Sequence, residues 1–154
     1  KELGVRCFIS GGAQGFDQLA FWSVERMKSA YKTHDVKNIV FAVKGQSARW
    51  KDTGTFSKYE YELMLSKADA MCWVSGGSIQ ALLDRNHIMV DHSERLLALY
   101  PDDSWDTSKG GTAETLRYAQ KASHMKDICR IGYTLEKDGL RPAGLWMLRE
   151  AQKQ

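Results

Sequence analysis

The chain has 154 residues, 43% of them hydrophobic, and a formal charge of +3 spread along its length, which suits one globular domain spanning 1–154 with a substantial core. Two prolines and no low-complexity run exclude a long linker, and no block of Lys and Arg is long enough for a nucleic-acid-binding arm. No apolar stretch approaches the roughly 20 residues that cross a bilayer and no signal peptide is visible, so a cytoplasmic setting is expected.

In chain order, an apolar run from Val5 reads as a strand that ends at Ser10. Gly11-Gly12-Ala13-Gln14-Gly15 follows, and then an amphipathic helix from Phe16 to Tyr31, with Leu19, Ala20, Trp22, Ser23, Val24 and Met27 as its expected inner stripe. Glycines at such a bend let the backbone take positive φ and let a ligand approach, and the free N–H groups of the first helical turn favour an anion such as phosphate. A tight turn with no ligand accounts for the same glycines. The spacing matches neither GxGxxG nor the Walker A pattern.

Further strands are expected at Asn38 to Val43, Ala70 to Ser75, Arg95 to Tyr100 and Asp127 to Gly132. Helices are expected at Lys58 to Lys67 on Tyr59, Leu63 and Met64, at Ile79 to His92, and from after Gly110-Gly111 to about Ser123. The tail from Arg141 to Gln154, with Pro142 near its start, reads as a final helix carrying Leu145, Trp146, Met147 and Leu148. Strands alternating with helices predict α/β architecture: a mostly parallel sheet of about five strands with helices on both faces. Cys7, Cys72 and Cys129 are odd in number and lie in apolar segments, so buried, reduced thiols fit better than disulfides.

In a parallel sheet the post-strand loops share one edge, where such sheets bind ligands. Four turns are thereby expected to converge on one cleft: Gly11-Gly12, Lys44 to Phe56, Gly76-Gly77 and Gly110-Gly111. Ser108-Lys109-Gly110-Gly111-Thr112-Ala113-Glu114-Thr115 repeats the logic of the opening loop. Lys109 adds a positive charge, and the hydroxyls of Ser108, Thr112 and Thr115 either cap the helix or donate to a phosphate.

Taken together, Gly12-Ala13-Gln14-Gly15-Phe16-Asp17-Gln18-Leu19-Ala20, then Gly45-Gln46 with Arg49-Trp50, Arg85-Asn86-His87-Ile88-Met89-Val90-Asp91-His92-Ser93, and Gly110-Gly111-Thr112-Ala113 with Thr115-Leu116-Arg117-Tyr118-Ala119 resemble the YpsA-like branch of the SLOG superfamily, which includes DprA and the LOG phosphoribohydrolases. These segments occur in the family's order and cover Val5 to Tyr133. The resemblance implies a Rossmann-like three-layer fold and a nucleotide or nucleotide-derived ligand between the two glycine loops. Two features depart from the pattern. The family's opening strand with its Thr-Gly-His-Arg type motif has no counterpart after Lys1, so that strand is expected to be truncated or lost. In the LOG loop Gly-Gly-x-Gly-Thr-x-x-Glu the spacing from Gly-Thr to Glu is one residue longer than in Gly111-Thr112-Ala113-Glu114, which rotates Glu114 by about 100° from the catalytic position.

Ser10, Gly11, Gly12, Gly15, Phe16, Asp17, Arg49, Trp50, Arg85, Lys109, Gly110, Gly111 and Thr112 are therefore the candidate ligand-binding residues, with Glu114 the candidate catalytic acid. Asp17 either complements the helix dipole or binds ribose hydroxyls. Arg49 and Trp50 either pair a phosphate and stack a base or pin their loop to the body. Arg85 is favoured for the pocket over a surface salt bridge. His87 and His92, five apart, do not share a helical face as two metal ligands would, so neither a metal nor a cofactor is expected. The leading reading is a module that binds an ADP-ribose-like molecule or nucleoside phosphate, as a sensor. The runner-up is a hydrolase of an N-glycosidic bond in a nucleoside monophosphate. Single-stranded DNA binding comes third, since no continuous basic stripe is visible. Self-association through Trp146 on the tail helix is a further expectation.

Overall fold

The computed structural model describes residues 4–74, 76 and 78–150, and among them the chain is mixed α/β, with four α-helices and six strands in two three-stranded sheets. It divides into two compact units, Lys1–Arg85 and Asn86–Gln154. Ser75, the expected end of the third strand, and Gly77 of the expected Gly76-Gly77 turn lie outside the described residues.

The first unit holds β1 (Cys7–Ser10), α1 (Phe16–Tyr31), β2 (Lys37–Val43), α2 (Lys58–Lys67) and β3 (Ala70–Val74). The strands are parallel in the order β1-β2-β3, with Ser10 beside Val40 and Val43 beside Val74. Parallel strands covered on both faces read as continuous apolar runs, and Val40, Phe41, Ala42 and Val43 of the central strand are all buried. α1 starts at Gly15, with φ +93°, and ends on a left-handed Lys32 whose N–H returns to the carbonyls of Lys28 and Ser29. Its inner face is Gln18, Phe21 and Val24, while Leu19 of the expected stripe is exposed. Several apolar faces compete along this helix, and a one-residue error in choosing the stripe turns it by about 100°.

α2 begins at Ser57, whose Oγ accepts the N–H of Glu60 at 3.2 Å, while Glu60 Oε2 accepts the N–H of Phe56 at 2.5 Å, a variant of the reciprocal capping box. Tyr61 and Met64 face inward, and the expected Tyr59 and Leu63 are exposed. Phe21, Val40, Ala42, Tyr61 and Met64 form the core of this unit. Asn38 ties β2 to α1, its Nδ2 donating to the carbonyl of Phe21 at 3.0 Å and to Glu25 Oε1 at 3.1 Å.

Helix α3 (Ile79–Asp91) runs through the division. The second unit continues with β4 (Arg95–Leu99), a short 3-10 turn at Asp103–Asp106, α4 (Gly111–Lys121), β5 (Asp127–Glu136) and β6 (Gly139–Arg149). β4 and β5 are parallel, β5 and β6 antiparallel, and Val90, Ala98, Leu116, Ala119, Met125 and Ile128 make the core.

Three expectations are corrected. First, the described residues form two sheets of three strands rather than one sheet of about five. Second, the described part of the tail is not a helix: from Gly139 to Arg149 it folds back on β5, and residues 151–154 of the expected helix lie outside the described residues. Lys137-Asp138 makes the hairpin turn, and Gly139, at φ +138°, opens β6 opposite Glu136. The ring of Trp146 lies against Gly132 and Gly144, which face each other across the ladder, and Arg130 sits over that ring at 4.5 Å. Third, the thiols are not uniformly buried: Cys7 opens an outer strand and is exposed, and Cys72 and Cys129 are partly exposed. Among the described residues no helix is long and apolar enough to cross a membrane.

Candidate functional site

The first glycine loop is fastened on several sides. Asp17 Oδ2, one turn into α1, accepts the N–H groups of Gly11 at 3.1 Å and Ala13 at 3.2 Å. Arg85 Nη1 donates to the carbonyls of Gly11 and, at 3.3 Å, Phe41. Gln46 bridges strand and loop: its Oε1 accepts the N–H of Val43 at 2.9 Å and its Nε2 donates to the carbonyl of Gly11 at 3.2 Å. Gln18 Nε2 donates to the carbonyl of Gly12 at 3.3 Å, and Gln14 Nε2 to that of Phe56 at 2.7 Å. The loops after β1 and β2 are thus brought together.

Two glycines here answer to different constraints. A Cβ on Gly11 would overlap the Arg85 guanidinium, so packing demands the glycine. Gly12 has φ +66°, and a Cβ on it would sit 2.9 Å from both Met64 Cε and Tyr61 Cε2. Burial raises Asp17 above the usual carboxylate range, opposed by the charge of Arg85 and by the two backbone N–H groups. Burial likewise pushes the Tyr61 phenol from 10.0 to about 12, with Arg85 opposing.

Of the other candidates in this unit, Ser10 is buried and Phe16 half-buried. Arg49 is exposed, and Trp50 stands edge-on to Tyr61 with ring centroids 5.2 Å apart, which anchors the loop after β2 to the core.

The second glycine loop is built differently. Gly110, at φ +126°, precedes α4, and no side chain caps that helix. Lys109 and Thr112 are exposed, Gly111 is half-buried, and Thr115 Oγ1 donates back to the carbonyl of Gly111 at 2.7 Å. Arg117 braces the approach from within, its Nη1 donating to the carbonyls of Trp105 at 2.6 Å and Ser108 at 2.7 Å. Glu114 Oε1 lies 3.3 Å from His87 Nε2. The His87 ring stacks on Tyr118 with centroids 4.0 Å apart, and Tyr118 donates its hydroxyl hydrogen to Asp91 Oδ1 at 2.9 Å.

Sequence reasoning passed over Tyr61, Arg117 and the partnership of His87 with Glu114. The Tyr61–Met64 spacing of three residues marks an inner helical stripe and was the available signal for the first. The other two depend on contacts that spacing does not encode.

A family model described as the YspA SLOG family (YpsA) matches residues 1–133. The chain belongs to the YspA SLOG family. It is also similar to the uncharacterized SPbeta prophage-derived protein YoqJ of Bacillus subtilis (strain 168), 37% identical over 128 residues that cover 74% of this chain and 69% of that protein. In this SLOG chain both glycine loops, Arg85, Glu114 and Arg117 fall inside the matched segment, whereas β6 lies beyond it.

Proposed function

We propose that this chain is a Rossmann-like binding module, a single domain over 1–154, for a nucleotide or a nucleotide-derived small molecule such as ADP-ribose or a nucleoside phosphate, acting as a sensor. The observation that carries the reading is the start of α4: a helix N-terminus with no side-chain cap, preceded by a glycine at φ +126° and an exposed Lys109. The first-turn N–H groups and the helix dipole favour an anion there, and the lysine supplies a mobile positive charge. Calorimetry with AMP, NAD and ADP-ribose tests it. Saturable binding that weakens in Lys109→Ala is expected, and no heat with any of the three would sink the proposal.

One contact supports a second reading, hydrolysis of an N-glycosidic bond in a nucleoside monophosphate. Glu114 sits 3.3 Å from His87, so a carboxyl group able to exchange a proton with an imidazole stands in the first turn of α4. Chromatography for free base after incubation with nucleoside monophosphates decides it: release by the parent chain and not by Glu114→Gln is expected, and no release rejects it.

A further inference from the structure

We propose that the first glycine loop reads an uncharged, hydroxyl-bearing part of the ligand, a vicinal diol of a sugar, and not its phosphate. The proposal rests on the reading of the chain as a binder of nucleotide-derived molecules.

The anion seat of this loop is already filled. The N–H groups of Gly11 and Ala13 converge on Asp17 Oδ2. A phosphate placed there would compete with a carboxylate for the same donors and stand against its charge. A hydroxyl instead gains an acceptor from that carboxylate.

Five buried side-chain atoms lack a hydrogen-bond partner among the described residues, and four of them lie in the first unit: Ser10 Oγ, Gln18 Oε1, Tyr61 Oη and Arg85 Nε, the fifth being Arg130 Nε. All four residues are more than nine-tenths buried, and polar groups so placed are nearly always partnered. They surround the same turn. Ser10 leads into it, Gln18 grips the carbonyl of Gly12, the phenol end of Tyr61 lies against Gly12, and the Arg85 guanidinium lies against Gly11.

The chemistry of this set selects the partner. Gln18 Oε1 only accepts, Arg85 Nε only donates, and the two hydroxyls do either. A phosphate dianion offers acceptors alone, so it would leave Gln18 Oε1 unmatched and set its charge against that of Asp17. A pair of hydroxyls donates and accepts, and so serves every member of the set.

The test uses the full chain and four probes: AMP, its 2′,3′-dideoxy analogue, ADP-ribose and inorganic pyrophosphate. Binding is followed by calorimetry and by the amide resonances of Gly11 and Ala13. The dideoxy analogue is expected to bind about tenfold more weakly than AMP, a typical loss when buried polar partners go unmet. Asp17→Asn and Tyr61→Phe are expected to weaken AMP and ADP-ribose to a similar degree and to leave pyrophosphate unchanged. Tyr61→Phe removes only an unpartnered hydroxyl, so it provides the comparison if Asp17→Asn does not fold.

Equal affinity for AMP and its dideoxy analogue overturns the diol assignment and leaves the binding reading standing. So does a shift of the Gly11 and Ala13 amides on adding pyrophosphate, or tighter pyrophosphate binding by Asp17→Asn. If no probe binds the parent chain, the binding reading fails and this inference fails with it.

Discussion

Asp17 and Arg85 hold opposite ends of Gly11: the carboxylate accepts its N–H at 3.1 Å, and the guanidinium donates to its carbonyl. A partly buried acid and a buried base thereby fix one peptide residue between β1 and α1. The glycine is required because the guanidinium occupies the space of a Cβ. Gly11→Ala should therefore cost about 1–3 kcal/mol through overpacking against a group that cannot leave without abandoning a buried charge. Urea unfolding checks this through a lower midpoint at unchanged slope. Parent-like stability would show that Arg85 can move aside freely.

The acid dependence of stability has two opposing contributors in the first unit. Burial raises Asp17, so its contribution is full below the ordinary carboxylate pKa and is lost as pH rises through its elevated value. Asp69 behaves oppositely: the hydrogen bond from Lys28 at 2.6 Å, aided by the N–H of Asn38 at 2.8 Å, holds it below the ordinary range. Its contribution is present above the unfolded pKa and is lost as pH falls through the lowered one. Carboxyl carbon NMR should place the Asp17 inflection above that of Asp69. The reverse order would refute the electrostatic account of the loop.

In the second unit, Arg117 ties the carbonyls of Trp105 and Ser108 ahead of α4. Hydrogen bonds from a charged donor contribute about 1.5–3 kcal/mol, and a planar fork serves two acceptors better than an ammonium point charge. Arg117→Lys should recover little of the stability lost in Arg117→Met, and amide exchange should accelerate from Ser108 to Thr112 in both variants. Full recovery by lysine would mean that charge, not the two-carbonyl grip, is what matters.

How far the sequence reveals this fold depends on where local rules decide. Glycine punctuation located the starts of α1 and α4, and the continuous apolar run of β2 follows from its place between two parallel strands. The tail misled because Leu145, Trp146, Met147 and Leu148 are apolar in succession, which fits a helix or a strand. Asp138-Gly139 is a turn signal that overlaps the two-residue loop Lys137-Asp138, which returns the chain onto β5. Around the loops, sequence could nominate Asp17 and Arg85 but could not show that they grip the same glycine. It could also name Glu114 without seeing His87 beside it, because side-chain pairs set by tertiary contact leave no periodic trace.

Tyr61 offers the sharpest separation of folding from binding. Its hydroxyl is buried without a partner among the described residues, and its ring supports Trp50. A buried tyrosine ordinarily loses about 1 kcal/mol when its hydrogen-bonded hydroxyl is removed, but an unpartnered hydroxyl costs desolvation and returns nothing. Tyr61→Phe should therefore melt at or above the parent temperature. The same burial pushes the phenol from 10.0 to about 12, so in the parent chain stability should fall as pH rises across that interval, where the unfolded chain ionises first. That alkaline loss should shrink in Tyr61→Phe, as thermal melts at stepped pH would reveal. A destabilised Phe variant with an unchanged alkaline limb would mean that the hydroxyl is satisfied in the free protein and is not held in reserve for a ligand.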